Sequence, residues 1–257
     1  MSIRIVQLTD LHLYKRRDGL LAGVPTWESF AAVQQQVRDR HGDFDYLILT
    51  GDLAQDEARE TYVMLREALG DWLERCRIIP GNHDDPVQLR EVFPELFDRG
   101  SDSLNFTLRC GNWCIAGLDS HVPGEVKGRV GIGQLGWLRE RLKEQPEAPT
   151  LIFIHHPPVP IDVAWLDSLG LNEAQQLVSL IEDSSQVKLL CAGHVHQEWS
   201  GGIGAAGVCT TPSTCVQFGA RAEKTFDRKA AGYRSITLEA DGRYATQVHR
   251  LPGERGN

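Results

Sequence analysis

Five short apolar runs, each followed at once by side chains of metal-ligand type, constrain this chain more than any other feature. Four runs are IRIVQLT, YLILT, LIFI and VKLLCA, and the fifth is the Ile78-Ile79-Pro80 segment. They lead into Asp10-Leu11-His12, Gly51-Asp52, His155-His156, Gly193-His194-Val195-His196 and Gly81-Asn82-His83-Asp84 respectively. Runs of this length read as buried strands. An α/β scaffold builds a site by ending several such strands in polar side chains. One D-x-H or H-x-H is usually incidental. Asp52 alone could cap a helix, Asn82 could be a turn residue, and His155-His156 before Pro157-Pro158 could be a satisfied loop pair. Five such groups in one chain are hard to assemble by accident.

The remaining pattern predicts what lies between the runs. Thr26 can cap a helix carrying Trp27, Phe30, Val33, Gln34 and Val37, ending near His41-Gly42. Asp56 opens a helix over 57–69, and Pro86 starts another. Residues 104–109 and 113–118 form a hairpin about Gly111-Asn112. Residues 124–133 read as a loop, 134–142 as a helix, and a further helix lies near 172–182. After His196, short strands near 207–211, 214–218, 233–239 and 244–250 suggest antiparallel pairing. With no linker or repeat in view, residues 1–257 are expected to form a single α/β domain of two packed sheets with helices outside.

The chain carries 27 Lys and Arg against 35 Asp and Glu, a formal charge of −8. That balance disfavours nucleic-acid polymers and anionic membranes as partners. It does not exclude a phosphate substrate, because bound cations can invert the local field. The opening MSIRIVQLTD shows no basic segment followed by an apolar one, and no run approaches the ~20 residues of a membrane span. Six cysteines lie mostly in apolar runs and read as reduced thiols of a cytoplasmic protein.

The candidate ligands are Asp10, His12, Asp52, Asn82, His155, His194 and His196. Carboxylate, amide and imidazole suit a borderline divalent ion such as zinc, manganese, iron or cobalt. Seven side chains are too many for one ion with an open position. Two ions roughly 3.5–4 Å apart, sharing a carboxylate, fit the number and suit an in-line phosphoryl displacement. Adjacent side chains on an extended backbone point oppositely, so His155 and His156 cannot easily face the same ion. Trp199, Phe218 and Arg129 are candidates to line a base pocket, with core or surface roles equally open.

The ordered blocks Asp10-x-His12, Gly51-Asp52, Gly81-Asn82-His83-Asp84, His155 and Gly193-His194-x-His196 resemble the calcineurin-like metallophosphoesterase superfamily. LTDLHL, LTGDLAQD, PGNHDD, IHHPPVP and CAGHVHQEW, among other stretches, resemble its bacterial class III cyclic nucleotide phosphodiesterases. The resemblance implies a four-layer sandwich, two mixed β-sheets flanked by α-helices. It implies that Asp10, His12, Asp52 and His196 hold one divalent ion and that Asp52, Asn82, His155 and His194 hold a second. His155, directly after its strand, is the family-matched ligand rather than His156. His83 matches the superfamily's catalytic histidine, with Asp84 able to fix its tautomer; the implied role of His83 is to donate a proton to the leaving oxygen or to stabilise charge there. The implied activity is hydrolysis of 3′,5′-cyclic nucleotides, cAMP to 5′-AMP, through a metal-held hydroxide, by a monomer or homodimer. Hydrolysis of glycerophosphodiesters or other small phosphoesters is the enzymatic alternative. A non-catalytic metal-binding scaffold is the alternative outside enzymes.

Overall fold

The computed structural model describes residues 2–220, 223 and 225–253. Eleven strands make two sheets. The first contains β1 (Ile3–Leu8), β2 (Tyr46–Thr50) and β3 (Cys76–Ile79). The second contains β4 (Phe106–Cys110), β5 (Trp113–Leu118), β6 (Thr150–Ile154), β7 (Val187–Ala192), β8 (Trp199–Ile203) and β9 (Ala206–Thr210). The chain then returns to the first sheet with β10 (Gly232–Leu238) and β11 (Tyr244–Arg250). The spatial orders are β11-β10-β1-β2-β3 and β8-β9-β7-β6-β5-β4. Both sheets are mixed: β1, β2 and β3 run parallel while β10 pairs antiparallel with β1. In the second sheet β5, β6, β7 and β9 run parallel between antiparallel edges.

Strand alternation builds the layers. On β1, Val6 and Leu8 join an apolar cluster with Trp27, Phe30 and Val33 of α1 (Thr26–His41) and Leu65 of α2 (Arg59–Leu69). Its other face sends Ile5 into a second cluster with Ile48, Ile79, Leu151, Phe153 and Leu189, the layer between the sheets. A third cluster packs Ile152 and Leu190 against α4 (Ile132–Glu144) and α6 (Gln175–Glu182). The remaining helices are α3 (Pro86–Val92) and the single-turn α5 (Ala164–Asp167). Helix, sheet, sheet, helix is the four-layer order expected. Because the central strands are covered on both faces, their sequences read as continuous apolar runs.

One polar element interrupts the inter-sheet layer. Gln7 is fully buried, and its Nε2 donates to Thr50 Oγ1 at 2.9 Å. Its Oε1 accepts from Thr211 Oγ1 at 2.7 Å, and Arg234 Nε donates to that hydroxyl at 3.0 Å. Such a network can stand in a core only when its members find partners.

Several boundaries differ from the sequence expectation. Pro25, not Thr26, occupies the cap of α1, and Thr26 is already helical. The second helix begins at Arg59; Asp56 braces its entry by accepting from Ala58 N and Thr61 Oγ1. Asp85 caps α3 ahead of Pro86, through Val87 N and Gln88 N. Residues 214–218 are not a strand of either sheet. Thr214 N is tied instead to the Thr9 carbonyl at 3.1 Å, and only Gln217–Phe218 forms a two-residue ladder. Strand β8 was not foreseen, since WSGGI shows no apolar alternation and Ser200, Gly201 and Gly202 are exposed. Strand β9 is antiparallel to β8 but parallel to β7.

Gly117 lies directly opposite Phe106 in the β4–β5 ladder, and a methyl group at Gly117 would fall on the Phe106 ring. Gly117→Ala is therefore expected to cost ~1–3 kcal/mol by overpacking. Urea melts should show a lower midpoint at unchanged slope. Pairing it with Phe106→Leu should recover part of the loss, and strictly additive effects would contradict direct contact.

Candidate metal centre

The parallel strands deliver the ligand-type residues, and the backbone bends sharply where it leaves them. Asp10, His12, Asp52, His194 and His196 all have left-handed backbones, with φ of 54°, 49°, 53°, 68° and 48°. Each costs ~1–2 kcal/mol for a residue with a Cβ. Strained positions persist where the surroundings over-determine them. Here Asp10 N donates to Gly51 O at 3.0 Å, His12 N to Asp52 O at 2.9 Å, and Gly193 N to His155 O at 3.0 Å. The loops approach so closely that two glycines are required. A Cβ on Gly51 would sit 2.5 Å from Gly81 N, and one on Gly81 would fall on the Asp52 carboxylate.

Seven side chains from both sheets converge there. Asp10 Oδ1 lies 3.2 Å from His196 Nε2, and His12 Nε2 lies 3.1 Å from the same nitrogen. Asp52 stands between two groups. Its Oδ2 is 3.7 Å from His12 Nε2, and its Oδ1 is 3.4 Å from His155 Nε2. Asp10, His12, Asp52 and His196 form one compact donor set, and His155, His156 and His194 form another. Asn82 Oδ1 and His155 Nε2 are buried without a hydrogen-bond partner. Unsatisfied buried polar atoms are rare and call for an explanation. A cation seated among them supplies one.

Hydrogen bonds on the far side of each ring fix which nitrogen faces the centre. His155 Nδ1 donates to Thr50 O at 2.7 Å, and His196 Nδ1 to Val216 O at 2.8 Å. His12 Nδ1 donates to Gln55 Oε1 at 2.7 Å. In the neutral rings these bonds leave the three Nε2 atoms as acceptors. His194 is turned the other way: its Nε2 donates to Leu169 O at 3.1 Å, which leaves Nδ1. Outer hydrogen bonds of this kind orient metal-binding imidazoles. Gln55, Val216 and Leu169 were missed in the sequence. Val216 and Leu169 act through main-chain carbonyls, which carry no side-chain signal. Gln55 stands three residues after Asp52, and its place on that ligand-bearing loop was the available clue.

The electrostatics follow from burial. Burial drives His12 down to about 4 and His194 to about 3, so both stay neutral. Burial alone would raise the two aspartates. The His196 imidazole nevertheless holds Asp10 below the usual carboxylate range, and His155 and His12 hold Asp52 well below it. Burial opposes charge on His155 too, but the Asp52 carboxylate prevails and pushes it up to about 9. Without a cation, Asp52 and His155 therefore form a buried ion pair.

Two expectations are corrected. His155 and His156 do not point apart: β6 ends at Ile154, so strand alternation no longer applies, and their rings are 4.8 Å apart. His156 differs from His155 in having both nitrogens engaged, Nδ1 with Ser120 Oγ at 2.8 Å and Nε2 with Val126 O at 3.0 Å. Asp84 does not set the His83 tautomer. Its carboxylate faces inward, accepting from Leu53 N, Ala54 N, Tyr62 OH and Gly81 N. Burial raises it to about 7. The partner of His83 Nδ1 is Gln55 Nε2, at 3.1 Å. His83 is half-buried at the rim, its ring edge-on to His12 at 5.2 Å. Of the base-pocket candidates, Phe218 stacks on His196, Trp199 packs against the apolar group around Val195, and Arg129 is exposed.

Residues 3–198 match the family model for calcineurin-like phosphoesterases, and the chain belongs to that family. The family and the Asp/His cluster together define a dinuclear divalent-metal site. Among relatives, the 3′,5′-cyclic adenosine monophosphate phosphodiesterase CpdA of Escherichia coli K12 is 38% identical over 255 residues. The alignment covers 98% of this chain and 91% of that protein. CpdA of Vibrio vulnificus is 37% identical over 251 residues, covering 97% and 90%. Among solved structures, a dimetal phosphatase from Danio rerio superposes with a TM-score of 0.67 at 14% identity, over 91% of this chain and 95% of that one. That likeness supports the fold alone.

Because His155 holds a proton up to about 9 in the metal-free protein, a cation that uses His155 must displace it. Manganese affinity should therefore rise between about pH 6 and pH 8, with proton release on binding. Calorimetry of the metal-stripped protein in buffers of different ionisation enthalpy reads both. A pH-independent affinity with no proton release would contradict the buried pair.

Proposed function

We propose that this protein is a dinuclear-metal phosphodiesterase that hydrolyses 3′,5′-cyclic nucleotides, with cAMP the first substrate and 5′-AMP its product. The observation that carries the reading is Asp52, with one carboxylate oxygen toward His12 and the other toward His155. That geometry suits a bridging ligand. Similarity to CpdA along nearly the whole chain supports the cyclic substrate. Asp10, His12, Asp52 and His196 would hold the first ion, and Asp52, Asn82, His155 and His194 the second. His156 is left out because its nitrogens are engaged elsewhere. A nitrogen and oxygen donor set without thiolate suits iron, manganese, zinc or cobalt. Bound there, two such ions supply Lewis-acid charge and an activated water.

The residues of the chain do the rest. Asp10 and Asp52 bring negative charge to a site in which burial keeps His12 and His194 neutral, which favours cations and, through them, one phosphodiester anion. Gln55 sets two tautomers at once. Its oxygen accepts from His12 Nδ1 and its amide donates to His83 Nδ1, so the neutral His83 ring carries its hydrogen on Nε2. His83 directs that N–H at the departing 3′-oxygen, where the hydrogen bond stabilises the charge developing on the leaving group. A scaffold without catalysis would need neither His83 nor this tautomer lock. Asp84 serves beside them as a brace of the loop, tying Gly81 to Leu53 and Ala54. The six cysteines are all buried in the apolar interior, which suits reduced thiols and supports a reducing cytoplasm as the working compartment.

His83→Ala should keep its metal content and lose ~10²–10³ in rate on cAMP, the usual scale for removing one such donor. The loss should shrink on bis(p-nitrophenyl) phosphate, whose leaving group needs little stabilisation. Equal impairment on both substrates, or loss of metal, would refute the role at the leaving oxygen.

For the reaction itself, manganese-loaded enzyme is incubated with cAMP in ¹⁸O-water. The expected product is 5′-AMP with one labelled phosphate oxygen. Rapid cleavage of glycerophosphodiesters without turnover of cAMP would overturn the substrate while keeping the metal site.

A further inference from the structure

The segment that orients His196 also builds an aromatic ledge beside it. Val216 O takes the His196 Nδ1 hydrogen, and two residues on, the Phe218 ring stacks on the imidazole. Their centroids are 4.1 Å apart and their planes differ by 18°. The two-residue ladder pairs Phe218 with Phe226 and Gln217 with Asp227, and Gly219 N donates to Thr225 O at 2.7 Å. Directly opposed residues share one face of a ladder. Phe226 accordingly lies against Phe218, with centroids 5.8 Å apart and planes at 35°. Trp165 meets Phe218 edge-on at 5.1 Å. Exposure rises along this row: His196 is 2% exposed, Phe218 half-buried, and Phe226 49% exposed.

A half-exposed phenylalanine held in register at the mouth of a charged site has no part in holding cations or moving a proton. Its face is apolar and flat, and the phosphate-binding groups begin at the next ring but one. We propose that Phe218 and Phe226 form the nucleobase subsite, where the base of a nucleoside phosphate stacks while its phosphate lies against the Asp/His cluster. The inference rests on the nucleotide reading of the active site and specifies how the non-reacting part of the substrate is held. Aromatic stacking tolerates any base, because every base presents a π-face. The ledge therefore selects nucleotides over aliphatic phosphodiesters while discriminating little between adenine and guanine.

The test compares AMP with ribose 5-phosphate, which keeps the phosphate and sugar but lacks the base. Calorimetry with the manganese-loaded full chain gives both affinities. The intact protein should favour AMP by roughly 5- to 100-fold, the scale of one base–aromatic stack. Phe226→Ala should bring the ratio close to one at unchanged metal content, and Phe226→Trp should restore it. GMP should follow AMP in each protein. An intact protein that binds both ligands equally, or a Phe226→Ala protein that keeps the full AMP preference, overturns the subsite. Turnover of cAMP is measured in parallel. A protein that shows the Phe226-dependent ratio but does not cleave cAMP keeps the subsite and loses the cyclic-diester reaction. One that cleaves cAMP with a ratio indifferent to Phe226 keeps the reaction and loses the subsite.

Discussion

Two carboxylates buried side by side are the constraint on which this structure depends. Asp10 and Asp52 are 0% and 2% exposed, and their charges must be offset where they stand. Part of the compensation comes from main-chain hydrogens. His194 N reaches both oxygens of Asp10, at 3.2 and 3.1 Å, and His83 N reaches Asp52 Oδ1 at 2.8 Å. Part comes from imidazoles. The Thr9 hydroxyl donates to Asp10 Oδ2 as well, and the oxygen left over, Asp52 Oδ2, faces His12 Nε2, whose ring holds its hydrogen on Nδ1, an arrangement that suits a cation. The strained backbones, the two obligatory glycines and the approach of one sheet to the other all serve to bring these groups within reach.

The orientation of the rings comes from outside the cluster. A carbonyl or Gln55 holds each of His12, His155, His194 and His196 by the nitrogen that does not face inward. Below them, Gln7, Thr211 and Arg234 tie the sheets together with satisfied polar groups. Polar contacts are directional where apolar packing is not, so this seam fixes the relative placement of the sheets more narrowly than Ile5, Ile48 and Phe153 could alone. A reaction that depends on well-placed charge needs that narrowness.

Much of this was legible in the sequence because the physics is local there. A strand buried on both faces is mostly apolar, so IRIVQL and YLILT announced themselves, and the polar residues just beyond them were placed at strand ends. The Asp and His residues that the structure brings together in two donor sets could be picked out in the same way. Less legible were features whose cause lies elsewhere in the chain. Asp84 sits beside His83 in sequence, yet the unpaired amides of Leu53 and Ala54 attract its carboxylate. His156 resembles His155 in sequence and differs only in meeting Ser120 and Val126. Strand β8 owes its place to β9, since Gly201 and Gly202 offer no pattern of their own. Residues 214–218 have strand-like composition but are claimed by the Thr9 carbonyl.

The order in which the site's parts appear along the chain has a consequence for biosynthesis. The same donor set contains Asp10 and His196, so nearly two hundred residues must leave the ribosome before it can close. Strand β1 waits longer still for one neighbour, because β10, spanning Gly232–Leu238, completes its antiparallel edge. Closing so long a loop is entropically costly and comes late in folding. A nascent chain therefore carries Asp10, His12 and Asp52 for most of its synthesis without the His196 that completes their set. The emerging polypeptide remains a poor trap for metal ions until His196 has been made. Full-affinity metal capture then coincides with the closing of both sheets.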